Sequence, residues 1–400
     1  MKIVLITHTT PASDNIRGTS ALPYHLMIER DKNVNIDIFT YNINHLSKEK
    51  IEEVERELNV HIYLVKQQKW LRWMMRLHLL VLRIFLRLPY LSYLRLPKSV
   101  RDEIVAMNPD GIWVYGEELA PMMSEFPQFR RVHIGPDSEA LYYYRMLGQK
   151  FVVNSQKSYW RQAIMYPKYL CLERNYLADE NAIYCVVGDA DKRFVERMNP
   201  ACHALFIRHP HYNFVANRII RFSHPKIKIL IAGQYNLYMR SSFDALLPVL
   251  CAHNELSTDY TITFLGKGWD DVVEKLCTAG YESERLGFVD VYLDEISKYD
   301  VQITPITIGT GTKGKVLDAL ANGLLVIGTP YALENIAVEN EKSCIEYNDP
   351  EEVIDTLKDM AVNRTKYEEM AAAGRRAVLT EHGRSKQAAE FFGLFSKRMS

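Results

Sequence analysis

Short apolar runs rich in β-branched residues alternate with segments of helical period from end to end, and no other feature constrains the fold so strongly. Seven runs precede residue 210, at 2–6, 34–39, 60–65, 111–114, 131–134, 182–187 and 204–207. Five follow, at 227–232, 261–265, 301–304, 324–327 and 343–345. Such runs, separated by helices, predict parallel strands buried on both faces. Right-handed crossovers then cover both sides of each sheet with helices. The two series part around 209–226, where His209-Pro210-His211 and Ser223-His224-Pro225 read as a linker. The expectation is an α/β chain of two doubly wound, Rossmann-like parallel-sheet domains, 1–215 and 220–380. A C-terminal helix of about 381–400 would cross back onto the first. Two such domains facing a cleft bind ligand at the carboxyl ends of their strands.

Lys and Arg number 49, as do Asp and Glu, so the formal net charge is zero. That excludes a whole-chain electrostatic footprint for nucleic acid, and no nucleic-acid partner is expected. The six cysteines form no CxxC pair and no cluster with histidine, which fits reduced thiols in a cytoplasmic protein and no bound metal. The start runs straight into a strand without a signal-peptide pattern, and no stretch of 18 uncharged apolar residues occurs. No membrane span is expected.

The segment 304–323 is the most informative. A strand ends at Thr304, glycines 309, 311 and 314 follow, and a helix is predicted from about Lys313. Glycines let backbone amides approach an anion. The helix start contributes partial positive charge, and Lys313 and Lys315 contribute whole charges. Together they make a cradle for a diphosphate. Asp318, about one turn further in, is placed to accept hydrogen bonds from ribose hydroxyls. The alternative is an ordinary strand-to-helix turn with surface lysines. Neither the GxxxxGK[ST] loop nor a GxGxxG followed by an acidic residue is present.

Gly309-Thr310-Gly311-Thr312-Lys313-Gly314-Lys315, then Leu317-Asp318-Ala319-Leu320-Ala321-Asn322-Gly323, a strand, Thr329 and Glu334-Asn335-Ile336 hold one register for some thirty residues. The segment resembles the donor-binding signature of glycosyltransferase family 4 and its relatives, which have the two-domain GT-B fold. Phe264-Leu265-Gly266-Lys267-Gly268 resembles an earlier strand and Gly-x-Gly turn of that family, and the likeness covers most of 227–380. The resemblance implies a hexosyltransferase that uses a nucleotide diphosphate sugar as co-substrate, with retention and without metal or further cofactor. It places Gly309, Thr310, Gly311, Thr312, Lys313, Lys315, Asp318, Gly266 and Lys267 at the donor, with Arg240 the counterpart of a basic residue on the diphosphate and Glu334 at the sugar or its loop. The chain departs from the family at Thr310, where a glutamate is usual, at Asp318, one methylene shorter than glutamate, and at Asn335, where the family has glycine.

On the acceptor side, Gly18 stands where the family's first-strand loop lets backbone approach a ligand, and Thr19 or Ser20 either joins it or caps the helix that follows. Asp137 and His133, at the end of a strand, are candidates for orienting the acceptor or steadying developing positive charge. Alternatively Asp137 or Ser138 is a helix cap and His133 a satisfied strand residue. Asp189-Ala190-Asp191 imitates a DxD metal motif but precedes a helix, and capping is the better reading.

Residues 70–89 read as a basic amphipathic helix. Arg72, Arg76, Arg83 and Arg87 fall within about 60° of one another on a helical projection. That pattern fits peripheral contact with an anionic membrane, on its cytoplasmic face, and a lipid-linked acceptor. The alternative is a core-facing helix with one solvated stripe. Two other functions stay open beside transfer to a saccharide or lipid-linked saccharide: a nucleotide-sugar 2-epimerase, and a catalytically silent relative that binds nucleotide or glycan in a polysaccharide assembly complex.

Overall fold

In the computed structural model the described residues are 1–16, 19–77, 79–148 and 156–396, with backbone alone described at 75–76, 79–81 and 156–158. The chain divides into two compact units, Met1–Pro210 with Arg384–Ser400, and His211–Gly383.

The first unit is built on β1 (Lys2–Thr7), β2 (Asn35–Thr40), β3 (His61–Leu64), β4 (Gly111–Tyr115), β5 (Arg130–Ile134), β6 (Ala182–Val186) and β7 (His203–Phe206). They pair in parallel in the order β3-β2-β1-β4-β5-β6-β7. Both faces of the central strands are apolar because helices cover both. Val4, Ile6, Ile112 and Val114 pack on one side, and Ile3, Leu5, Trp113 and Tyr115 on the other. The helix Arg384–Ser396 covers the second of these faces. The Phe391 ring lies tilted at 56° with its centroid 4.7 Å from that of Trp113, and Arg130 Nε donates to the Leu394 carbonyl at 3.0 Å.

The second unit holds β8 (Ile227–Ala232), β9 (Tyr260–Leu265), β10 (Glu282–Leu286), β11 (Val301–Thr304), β12 (Leu325–Gly328) and β13 (Ile345–Glu346). Their order is β10-β9-β8-β11-β12-β13, again all parallel. The twelve apolar runs of the sequence all become strands. The thirteenth strand, β10, carries Glu282-Ser283-Glu284-Arg285-Leu286 and escapes that reading. It lies at the sheet edge and pairs only with β9, so it needs no continuous apolar run.

The segment 70–89 is not the single helix its period predicts. An α-helix spans Lys69–Arg76, and separate 3-10 turns span Leu79–Phe85 and Tyr90–Tyr93. The buried Lys168 keeps the second piece from running on as a helix past Leu86. Its ammonium donates to the carbonyls of Arg83 at 2.8 Å, Ile84 at 3.2 Å and Leu86, oxygens that a continuing helix would have used itself. The four arginines therefore do not form one stripe. Arg72 and Arg87 are exposed, Arg83 lies half-buried 5.5 Å from the Tyr90 ring centroid, and the Arg76 side chain is outside the described residues. Among the described residues no helix is long and apolar enough to cross a membrane.

Candidate active site

The strand order of the second unit reverses between β8 and β11. Connections leaving such a point run to opposite faces of the sheet and open a crevice at its carboxyl edge. Gly233 follows β8 there, and the loop 305–313 follows β11. Gly233 and Gly266 bring two strand ends together: a Cβ on Gly266, whose φ is +147°, would lie 2.1 Å from the Gly233 carbonyl oxygen. The indole of the buried Trp269 fixes the same carbonyl at 2.7 Å. The Lys315 ammonium stands 3.7 Å from the point a Gly233 Cβ would occupy, a point already crowded by Met239 Sδ at 2.5 Å.

The loop is held from within. Lys313 Nζ donates to the carbonyls of Thr310 at 2.8 Å and Gly311 at 3.1 Å. Asn335 Nδ2 donates to the same Gly311 oxygen at 2.8 Å, and the Thr329 hydroxyl to the Ile306 carbonyl. This corrects the role expected of Lys313, which closes the loop instead of standing towards an anion. Gly309 and Gly311 allow the tight path, with φ of +138° and +62°. Thr310 is buried and Thr312 half-buried. The helix Gly314–Ala321 starts with no side-chain cap, so its first amides suit an anion.

Asp318 lies half-buried on that helix. Loss of water pushes its carboxyl up to about 7, while the Lys315 ammonium pulls the other way. Burial lowers Lys315 in turn, with Asp318 opposing. Beside Asp318 is Tyr292, whose buried hydroxyl has no hydrogen-bond partner among the described residues and which nothing in the sequence marked.

Three further donor candidates sit differently. Arg240 pairs with Asp244 at 3.4 Å, lies 5.5 Å from the Tyr235 ring centroid, and lines a groove between the helices Leu237–Ala252 and Asp270–Thr278. No donor-loop residue lines that groove, although the Thr307 amide of the loop donates to the Tyr238 carbonyl on the same helix as Arg240 at 3.2 Å. Lys267 is exposed, and its carbonyl receives the Tyr235 amide at 3.0 Å. Glu334 is half-buried just after the turn Pro330–Leu333.

In the first unit the strand order reverses between β1 and β4. His8 follows β1 and its ring rests on Gly116: a Cβ there would lie 2.3 Å from His8 Cε1. Burial lowers His8 to about 4, so it is neutral. His133 is fully buried in β5, its Nε2 3.1 Å from the Gly116 carbonyl, its ring packed against Tyr176 and Tyr184, and burial lowers it to about 4 as well. The strand-residue alternative therefore describes His133, not the acceptor role. Ser138, not Asp137, caps the helix Glu139–Leu147, leaving Asp137 half-buried at the edge. Asn15 accepts from Ala21 at the next helix start, and Ser20, though at the N-cap position, makes no capping bond with its side chain. Thr19 lies exposed beside Tyr115, and Gly18 is outside the described residues. Asp191 accepts from the Ser138 amide at 2.8 Å and Asp189 pairs with Arg193 at 2.6 Å, so neither needs a metal.

Glu117 and Glu173 are buried at the same edge. Tyr176 donates to Glu117 at 2.5 Å, and Glu173 accepts from the Ser138 hydroxyl and the Ala140 amide. Burial, then the charge of Glu173, holds Glu117 well above the usual carboxylate range. Burial raises Glu173 to about 7 against those two donors.

Residues 246–393 match the glycosyl transferase-like family. Anabaena HepE in complex with UDP superposes with a TM-score of 0.62 at 11% identity, covering 99% of this chain and 100% of that one. HepE has also been solved with UDP-glucose, at 0.58 and 10%, covering 98% and 99%. A sucrose-phosphate synthase from Thermosynechococcus elongatus gives 0.66 and 13%, covering 99% and 98%. The chain has the GT-B fold. No curated protein matches it. The family match spans the loop 309–315 and the helix Gly314–Ala321, the same elements that border the crevice of this GT-B protein. Asn335 explains one departure from the family pattern: its φ is +70°, a conformation that glycine, and after it asparagine, adopts most readily.

Proposed function

We propose that this protein transfers a hexose from a nucleoside diphosphate sugar to a hydroxyl of a saccharide or lipid-linked saccharide, with retention and without metal. The observation that carries the reading is the uncapped start of the helix Gly314–Ala321, with the Lys315 ammonium in its first turn close to Gly233. Such a corner suits a diphosphate, whose charge grows as the sugar leaves. The likeness to HepE, solved with UDP and UDP-glucose, supports a nucleotide-sugar donor.

In the transfer, the bond from the anomeric carbon to the β-phosphate oxygen breaks. The acceptor oxygen bonds to that carbon, and its proton passes to the departing diphosphate. Lys315 and the helix amides spread the leaving charge. Asp318 and the unpartnered Tyr292 hydroxyl would hold the ribose diol. Glu334 is the acidic candidate at the sugar, and Asp137 the one for orienting the acceptor.

Thermal shift of wild type and Lys315→Ala against UDP-, GDP- and ADP-sugars tests this. Donor at 100 times Kd stabilises by roughly 2.7 kcal/mol, a visible rise in Tm. A rise with one nucleotide class, lost in K315A, supports the donor site. No rise with any of them sinks it. A rise without sugar transfer or donor hydrolysis points to the silent relative, for which Thr310 in place of an acidic residue speaks.

A further inference from the structure

We infer that the excursion between β3 and β4 docks this protein on an anionic lipid bilayer. From Lys66 to Arg101 the chain carries nine basic residues and no acidic one, although its overall charge is zero. Large apolar side chains stand in water within that run. Trp73 is 61% exposed, Leu77 51% and Phe85 83%, with Trp70, Leu82 and Ile84 between 45% and 48%.

Two local structures hold them out. In the first, Trp70, Trp73 and Leu77 recur at i, i+3 and i+7, and the Leu77 amide still bonds the Trp73 carbonyl at 2.9 Å, so the three share one helical face. Leu71 and Met74, on the neighbouring face, are buried in the core of the first unit. In the second, the Lys168 ammonium pins the carbonyls of Arg83, Ile84 and Leu86, and so fixes the turn that presents Leu82, Ile84 and Phe85. The exposure is thus built by buried anchors beneath it. Two exposed apolar clusters set in a wholly basic stretch mark an interaction site.

Charge and shape together choose the occupant. All the charge interleaved with the ridge is positive, which calls for an anionic partner. Leucine, isoleucine and phenylalanine have nothing to enter on a nucleic acid, whereas the boundary between headgroups and acyl chains accepts them, with tryptophans at headgroup level. The surface uses no residue of the proposed donor site, so the inference stands or falls independently of the transfer reaction.

Co-sedimentation of the full chain with vesicles, without nucleotide, tests it. Phosphatidylglycerol–phosphatidylcholine vesicles should bind the protein, and phosphatidylcholine vesicles should not. Each basic residue near an anionic surface is worth roughly five-fold in binding, so Arg72→Gln with Arg87→Gln should weaken it roughly 25-fold. Ile84→Ser with Phe85→Ser should abolish stable binding even at low salt. All four side chains stand on the surface, so both double variants should keep the wild-type Tm. Failure to bind the anionic vesicles, equal binding to neutral ones, or undiminished binding by I84S/F85S overturns the inference. So does a dimer, seen by light scattering in the wild type and lost in I84S/F85S, which would assign the ridge to a second copy.

Discussion

Asn335 offers the sharpest test of how the donor loop is held. Its side chain contributes one hydrogen bond to Gly311, and its backbone takes the left-handed conformation at φ +70°. Asn335→Ala loses both advantages. A hydrogen bond of this kind is worth about 1 kcal/mol net. Forcing alanine into the left-handed region costs roughly 1–2 kcal/mol. The sum, about 2–3 kcal/mol, falls on the loop conformation, because both effects act where the turn after Leu333 meets Gly311. Asn335→Gly loses the hydrogen bond but keeps the backbone conformation at no steric cost, so about 1 kcal/mol is lost there, with somewhat more from the freer unfolded chain. If the loop must be ordered to bind a diphosphate, apparent affinity falls with the ordered fraction. Titration calorimetry with the nucleotide that stabilises the wild type should then show weakening of up to about 30–150-fold for N335A and about five-fold for N335G. Equal affinities for the two variants would refute the backbone argument. Wild-type affinity in both would refute the claim that Asn335 holds the loop at all.

Tyr292→Phe removes one hydroxyl that has no partner among the described residues; it should leave the urea midpoint unchanged yet weaken ribonucleotide binding, and the corresponding 2′-deoxynucleotide, tested by calorimetry, should bind wild type and variant more alike. Phe391→Ala opens a cavity against Trp113 in a fully buried site and should cost about 3–5 kcal/mol of stability by urea denaturation; a loss below about 1 kcal/mol would mean the terminal helix does not stabilise the first unit. Stability should fall as pH rises from about 6.5 to 8. Glu118 and Glu173, raised to about 7, and Glu139, raised to about 8, all chiefly by burial, bind more protons folded than unfolded in that window. The buried histidines 8, 133 and 209, lowered to about 4, oppose this only up to their ordinary value of 6.5. Urea midpoints across the window check the sign, a flat or rising profile contradicts it, and Glu118→Gln should make the fall shallower.

What was legible in the sequence follows from what a periodic pattern encodes. Burial on both faces writes a strand as a nearly unbroken apolar run, as in β1, β4, β6 and β8. The edge strand β10, wet along one side, carries polar residues instead and leaves no such trace. The donor loop was legible because its backbone conformation demands glycine at 309 and 311, and residue type is all a sequence shows. The direction of a lysine is not written there. Lys313 and Lys315, two positions apart at a helix start, are equivalent as letters, yet one bonds carbonyls inside the loop and the other faces Gly233. The buried group at the edge of the first unit was illegible for a related reason. Glu117 and Glu173 are 56 positions apart and sit in stretches that read as ordinary polar surface. They meet because Glu117 follows β4 and Glu173 lies on the helix Gln156–Arg174, where Tyr176 and Ser138, from beyond that helix and after β5, bond them. Lys168 makes the same point about 70–89. The period there is helical and the sequence reading followed it. A residue some eighty positions away takes the carbonyls that the helix needed, and so turns the far end of the segment outward. Local pattern sets what a segment prefers, and a buried charge elsewhere in the chain can outbid that preference because leaving the charge unpaired costs more than one broken helix.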